Sequence, residues 1–276
     1  MNVGEALQGA GAQLKAAGCA SPHIDAELLL GHALGTGRTD LYADRGRVLS
    51  TAEEAVFEAL VARRARREPL AYILGEWGFR GLTLAVGPQV LVPRPETEAV
   101  VERVLAHIEQ LDEPLVLDIG TGSGAIALSV ASEHPGARVV ATDISADALA
   151  VAAENRSRTG LEGRVELVLG HLVAGVRGPF HLVVSNPPYV LPEEVDRLEP
   201  EVSQYEPREA VVGLGQTDAI ARRALQVLRP GGWLLLESSE YRAADVGAEL
   251  RALGYEEVAI HPDLAGRPRV VEGRLP

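Results

Sequence analysis

From Leu115 onward the chain alternates short apolar runs with amphipathic helical stretches, and this alternation constrains the fold more than any other feature of the sequence. Strand-like runs lie at Leu115–Leu117, Val139–Thr142, Val165–Leu169, His181–Val184 and Trp233–Leu236. Helical spacing covers Ala125–Ala131, Ala146–Arg158, Asp218–Leu228 and Ala243–Leu253. A strand that returns through a helix pairs parallel with its predecessor, so the pattern predicts an α/β fold with helices on both faces of a mostly parallel sheet. Two further runs, Glu256–Ile260 and Arg269–Glu272, are joined by a short link containing Gly and Pro. That link is too short for a crossover, so the last strand of this seven-stranded sheet is expected to run antiparallel.

Upstream the pattern differs. Residues 1–72 read as a helical bundle, with Leu7, Leu14, Ile24, Leu28, Leu29 and Leu30 at helical spacing. Thr51 and Glu54 have the spacing of a capping box opening a helix through Val56, Phe57, Leu60 and Val61. The cations Arg63, Arg64, Arg66 and Arg67 near its end suit the helix dipole, or else a carboxylate-rich or RNA partner. Residues 73–92 read as a β-hairpin connector, Trp77–Gly81 against Leu82–Val86, with Val90–Val92 continuing as a strand. Residues 93–276 then form the large domain.

With 39 acidic and 26 basic residues the net charge is −13, which disfavours a phosphate backbone as a direct partner and suits a basic protein or a small ligand. No run of apolar residues approaches the length of a membrane span, and the N-terminus has no export leader, so a soluble, cytoplasmic protein is expected. The single cysteine, Cys19, forms no internal disulfide, and the seven histidines lack metal-ligand spacing. Arginine supplies 25 of the 26 cations and asparagine occurs only at positions 2, 155 and 186, which reads first as coding bias.

Between the first strand and its helix lie Asp118, Gly120, Thr121, Gly122, Ser123 and Gly124. Glycines there let the backbone turn sharply and approach a ligand, and the helix N-terminus offers free N–H groups. Asp143 ends the next strand, where an acid accepts hydrogen bonds from ribose hydroxyls. A nucleoside-bearing cofactor follows. The loop alone leaves its identity open, because Gly120, Gly122 and Ala125 also satisfy a relaxed dinucleotide fingerprint.

Asn186, Pro187, Pro188 and Tyr189 follow the strand that ends at Val184, at the ligand-binding edge of such a sheet. They suit methyl transfer to a planar nitrogen, whose lone pair must be turned toward the methyl carbon. Asn186 accepts one N–H through its side-chain oxygen, the Pro187 carbonyl accepts the other, and Tyr189 offers a flat face. Consecutive prolines fix the direction of that carbonyl.

The glycine loop resembles the first motif of class I S-adenosylmethionine-dependent methyltransferases, and Asn186–Tyr189 resembles the motif of amino-methyltransferases acting on adenine, cytosine or glutamine. Four flanking stretches, Phe79–Leu82, Val90–Glu98, Tyr205–Ala210 and Asp263–Arg269, are similar to the release-factor glutamine methyltransferases, the PrmC/HemK family. The resemblance runs through nearly the whole chain. It implies methylation, from S-adenosylmethionine, of the glutamine amide nitrogen in the Gly-Gly-Gln loop of peptide-chain release factors. It further implies catalysis by Asn186, Pro187 and Tyr189, with Pro188 also holding the substrate. The implied cofactor set is Asp118, Gly120, Thr121, Gly122, Ser123, Gly124, Asp143, His171 and Asn186. The helical domain is expected to help dock the release factor, and nothing in the sequence demands a dimer.

At Gly170–His171 the family commonly has Gly-Asp, so His171 either accepts a bond from the adenine amino group or is a solvent-facing loop residue. His181 reads as structural, and Glu237, Ser238 and Ser239 lack an expected glycine. Other classes compete. An adenine-N6 methyltransferase on DNA or RNA calls for a basic groove that is not visible. A nicotinamide dehydrogenase and a cofactor-binding module without catalysis fit the glycine loop alone, and Ser123 and Ser185 have no His/Asp relay for hydrolysis.

Overall fold

The computed structural model describes residues 1–213 and 215–276. The chain divides into two compact units, one made of Met1–Gly75 with Leu198–Tyr205, the other of Glu76–Arg197 with Glu206–Pro276. The inclusion of residues 198–205 in the first unit was not visible in the sequence.

The first unit contains α1 (Val3–Ala16), α2 (Pro22–Leu34), α3 (Arg38–Ala43), α4 (Thr51–Ala65), α5 (Leu70–Leu74) and, much later in the chain, α9 (Pro200–Tyr205). Its core is built from Leu7 and Leu14 of α1, Ala26, Leu29 and Leu30 of α2, and Phe57 and Val61 of α4. Ile24 and Val56 instead face solvent, 47% and 50% exposed, because the buried stripe of each helix runs one position later than expected. The α4 cap is also shifted. Ser50 is the N-cap and Glu53 completes the box, while Glu54 pairs with the terminal ammonium of Met1. Arg63, Arg64 and Arg67 at the end of α4 are satisfied within the unit. Buried Arg64 donates to Asp25 and Glu201 at 2.7 Å each, Arg67 binds Glu199 and Glu201, and Arg63 binds Glu68. The reading of an external RNA or carboxylate partner is therefore not needed for Arg63, Arg64 or Arg67.

The second unit opens with the antiparallel hairpin β1 (Glu76–Phe79) and β2 (Leu82–Ala85). Val90–Val92, expected as a strand, forms none; Val90 is a bend, and Leu91 and Val92 carry no regular secondary structure. There follow α6 (Glu98–Ile108), β3 (Leu115–Ile119), α7 (Ala125–Glu133), β4 (Arg138–Asp143), α8 (Ala146–Arg158), β5 (Val165–Leu169) and β6 (Phe180–Ser185). Beyond α9 come α10 (Arg208–Val211), α11 (Gln216–Ala224), β7 (Leu228–Glu237), α12 (Ala243–Ala252), β8 (Glu256–Pro262) and β9 (Pro268–Arg274).

The seven strands are ordered β5-β4-β3-β6-β7-β9-β8, parallel from β5 through β7, with β9 antiparallel to both of its neighbours. Alternate residues face opposite layers, as the pleat requires. Val116, Ala141, Leu182 and Leu235 pack under α6, α7 and the hairpin residues Phe79 and Leu84. Leu117, Val183, Leu234 and Leu236 pack with α11 and α12. The chain leaves β3 toward β4 and β5, then returns to place β6 on the other side of β3. That reversal opens a crevice at the carboxyl ends of β3 and β6, the place where open α/β sheets bind ligands.

Candidate active site

At the end of β3 the N–H groups of Gly120 and Thr121 both donate to the Thr142 carbonyl, at 2.8 and 3.0 Å, hooking the loop onto β4. Gly120, Gly122 and Gly124 all have left-handed φ, at 76°, 55° and 83°. A β-carbon on Gly120 or Gly122 would meet open space, whereas one on Gly124 would press on Leu128 Cδ1 at 3.0 Å. Backbone shape and room for a ligand thus set the first two glycines, and packing against α7 sets the third.

The two acids of this region divide. Asp143 lines the cavity; its Oδ2 accepts the Gly122 N–H and its Oδ1 the Ser145 N–H, both at 2.9 Å. Asp118 lies behind the loop, fully buried, where Oδ2 accepts the Thr121 hydroxyl at 2.7 Å and Oδ1 has no partner among the described residues. Burial pushes its carboxyl up to about 7. Neither Asp118 nor Gly124 lines the cavity, while Gly120, Thr121, Gly122 and Ser123 do.

The cavity holds about 330 Å³ and spans the crevice between the ends of β3 and β6. Exposed His171, just after β5, lies on its wall. Asn186, Pro187 and Pro188 line it opposite the glycine loop, but Tyr189 does not. Tyr189 is half-buried beyond them, and its phenol is pushed up to about 12, first by burial and then by the neighbouring charge of Glu237. Buried Ser185 ties the ends of β6 and β3 by donating to the Ile119 carbonyl at 2.6 Å. Past the motif, Val190 N–H donates to Val211 and Gly213 N–H donates back to Val190, so the segment is stapled at both ends.

Residues that the sequence reading did not single out for the site complete it. Asn186 Nδ2 donates to Thr97 Oγ1 at 3.2 Å, and the Thr97 hydroxyl donates to Glu237 Oε2 at 2.7 Å. Asn155, fully buried on α8, donates to the carbonyls of Ser123 and Ala85 and accepts the Ala85 N–H. It thereby ties the glycine loop to the end of the hairpin. Buried Glu206 accepts two bonds from Arg94, at 2.8 and 2.7 Å, which pins the stretch before α6 where it lines the cavity. One signal in the sequence could have found Glu237: it is an acid directly after the apolar run Trp233–Leu236. His181 is structural, as expected, its Nδ1 accepting the Leu115 N–H at 3.0 Å.

The chain matches two family models, the PrmC N-terminal domain over residues 5–75 and the methyltransferase small domain over residues 98–199. It is 40% identical to the release factor glutamine methyltransferase of Deinococcus radiodurans, over 99% of each chain. The enzyme of the same description from Cereibacter sphaeroides is 42% identical over 100% of this chain and 99% of the relative. The chain belongs to the release factor glutamine methyltransferase family. As a member of that family it is a methyltransferase, and its cofactor is S-adenosylmethionine. At the level of fold alone, it is similar to the 16S rRNA N2 G1207 methyltransferase of T. thermophilus in complex with AdoMet and guanosine. That match has a TM-score of 0.57 at 18% identity and covers 73% of this chain and 50% of the other. The family's cofactor fits the crevice. Open space over Gly120 and Gly122 admits a ligand against the backbone, and Asp143 presents a carboxylate positioned by two N–H groups. No helix among the described residues is long and apolar enough to cross a membrane.

Proposed function

We propose that the chain methylates the side-chain amide nitrogen (N5) of the glutamine in the Gly-Gly-Gln motif of peptide-chain release factors. The observation that carries this reading is the orientation of Asn186, whose Nδ2 is committed to Thr97 and whose oxygen is thereby left to accept from a substrate. S-adenosylmethionine, when bound, supplies a methyl group on a sulfonium. Gly120, Thr121, Gly122 and Ser123 would hold it against the loop, Asp143 would accept from its ribose hydroxyls, and His171, on the cavity wall, would offer an acceptor to its adenine. Asp118 acts from behind, through Thr121. Asn186 Oδ1 and the Pro187 carbonyl accept the two N–H groups of the target amide. Those two bonds fix the plane of the amide and favour a localised lone pair on nitrogen, which is orientation plus electrostatic stabilisation. Pro188 keeps the carbonyl rigid, and Tyr189 supports the motif with a neutral phenol. Water takes the proton from the methylated nitrogen, so no strong base is required.

The helical residues 1–72 serve to dock the release factor, and a net charge of −13 suits a partner with basic, RNA-facing surfaces. The protein acts as a monomer in the cytoplasm without binding nucleic acid directly. The test combines the protein with labelled S-adenosylmethionine and a release factor, the same factor with its Gly-Gly-Gln glutamine changed to alanine, or duplex DNA. Label confined to the first, at that glutamine, is the expected result; label on DNA overturns the reading. Asn186→Ala is expected to lower turnover by about a hundredfold or more, with cofactor affinity within a few-fold. An equal collapse of cofactor binding would reassign Asn186 to the cofactor.

A further inference from the structure

The hydroxyl of Thr97 has one proton, and Glu237 takes it. What Thr97 offers Asn186 is therefore a lone pair, so the Asn186 amide must turn its NH2 group toward Thr97 and its oxygen away. We propose that Glu237, acting through the Thr97 hydroxyl, dictates which end of the Asn186 amide faces the cavity, and so keeps the site an acceptor for the target amide. The inference rests on the reading of Asn186 as the residue that receives the glutamine. Thr97 and Glu237 are positioning residues in it, because neither touches the target nitrogen.

Reversing the first bond reverses the rest. A protonated Glu237 becomes the donor to Thr97 Oγ1, which frees the Thr97 proton to be donated to Asn186 Oδ1. The amide then presents its NH2 to the incoming glutamine NH2, donor against donor, and the site loses its purpose without losing a single internal hydrogen bond. Both states are fully paired inside the protein, so the ionisation of one carboxyl selects between them.

The surroundings of Glu237 hold that carboxyl between its two forms. It is 1% exposed at the end of β7. Burial pushes it up to about 7, with Glu96 adding to the rise, while the Thr97 bond, Arg269 of β9 and Arg94 before α6 favour the charged form. The Tyr189 phenol also lies close enough to feel its charge. Arg269 is itself held by Asp263 and the Ser238 carbonyl, and Arg94 by Glu206, so neither cation can close fully on Glu237. As pH falls through this range Glu237 gains its proton, the amide reverses, and turnover at saturating cofactor falls.

The experiment measures kcat on a release factor from about pH 5.5 to about pH 8.5 for the wild type, Thr97→Val, Thr97→Ser, Glu237→Gln and Asn186→Ala, together with S-adenosylmethionine affinity and thermal unfolding for each. Thr97→Val, which keeps shape but loses the hydroxyl, is expected to lose about tenfold or more in kcat with cofactor affinity within twofold. Thr97→Ser restores turnover to within a few-fold. Wild-type kcat falls on the acid side; Glu237→Gln, whose amide does not titrate, has a lower but flat profile there. Three results overturn the proposal: a Thr97→Val kcat within twofold of wild type, a parallel loss of turnover and cofactor affinity in that variant, or an unchanged acid limb in Glu237→Gln. Asn186→Ala separates the two levels. Full loss there with an unaffected Thr97→Val defeats the relay alone, and retained turnover in Asn186→Ala defeats the reading on which the relay rests.

Discussion

At the scale of single residues, the three asparagines of the chain are each used for a different hydrogen-bonding task. Asn2 caps α1 by accepting the Glu5 N–H, Asn155 joins two loops inside the protein, and Asn186 turns its amide at the cavity. Scarcity that reads as coding bias coincides with placement where an amide that both donates and accepts is needed. Gly213 is constrained more tightly still. A β-carbon there would lie 2.2 Å from the Pro188 carbonyl oxygen and 2.9 Å from Pro188 Cγ, and the proline ring cannot rotate out of the way. Gly213→Ala must therefore displace the segment that carries Asn186 and Pro187. It is expected to lower kcat by about tenfold or more while leaving cofactor affinity within twofold, and to cost about 1–3 kcal/mol of stability. Steady-state kinetics and chemical denaturation check both parts.

At the scale of elements, the glycine loop is held from behind by α8 as well as from beside by β4. Asn155→Ala leaves the Ser123 carbonyl and both backbone groups of Ala85 without their partner in a buried setting. Each orphaned group costs about 1–3 kcal/mol, so the loop loosens before the sheet does. The expected outcome is a several-fold weaker affinity for S-adenosylmethionine, by calorimetry, with kcat at saturating cofactor within a few-fold. The strands were legible from their apolar runs because a buried parallel sheet forces such runs on the sequence, and β5 and α8 begin and end where the pattern placed them. Val90–Val92 misled for the same reason. Val90 and Val92 are buried against the second unit's interior, but the Val92 N–H goes to the Glu206 side chain rather than to a neighbouring strand. Burial and strand pairing leave the same mark on a sequence. The glycine loop and Asn186–Tyr189 were legible because their residue types are chemically demanding. Thr97 was not, and Glu237 was so only as an acid closing an apolar run, because their meaning comes from partners 89 and 140 residues away in the chain.

At the scale of the whole molecule, the chain leaves its second unit after Arg197, contributes Leu198–Tyr205 to the first, and returns at Glu206. The excursion begins nine residues after Tyr189. Arg67 binds Glu199 and Glu201, Arg64 binds Glu201, and the Tyr205 hydroxyl donates to the Arg66 carbonyl at 2.8 Å. Arg67→Met removes two of the three arginine hydrogen bonds on Glu201 without disturbing the buried Arg64–Asp25 pair. The segment should then open locally more often. A glutamate-specific protease is expected to cut after Glu201 about tenfold faster in this variant than in the wild type, read by peptide mass; an unchanged rate would mean that Arg64 and Tyr205 suffice to hold it.

The distance in sequence between Arg64 and Glu201, 137 residues, has a consequence for how the chain is made. A ribosome adds roughly 5–20 residues per second, so the polypeptide between them takes of the order of ten seconds to appear. Helices α1 to α5 emerge first, yet they must wait for β3, β4, β5 and β6 to be synthesised before the acidic segment they grip exists. The first unit is thus completed only once Tyr205 has been made, well into the synthesis of the second, and during that interval a nascent chain carries Arg64 and Arg67 at the end of α4 with the carboxylates of Glu199 and Glu201 still to come.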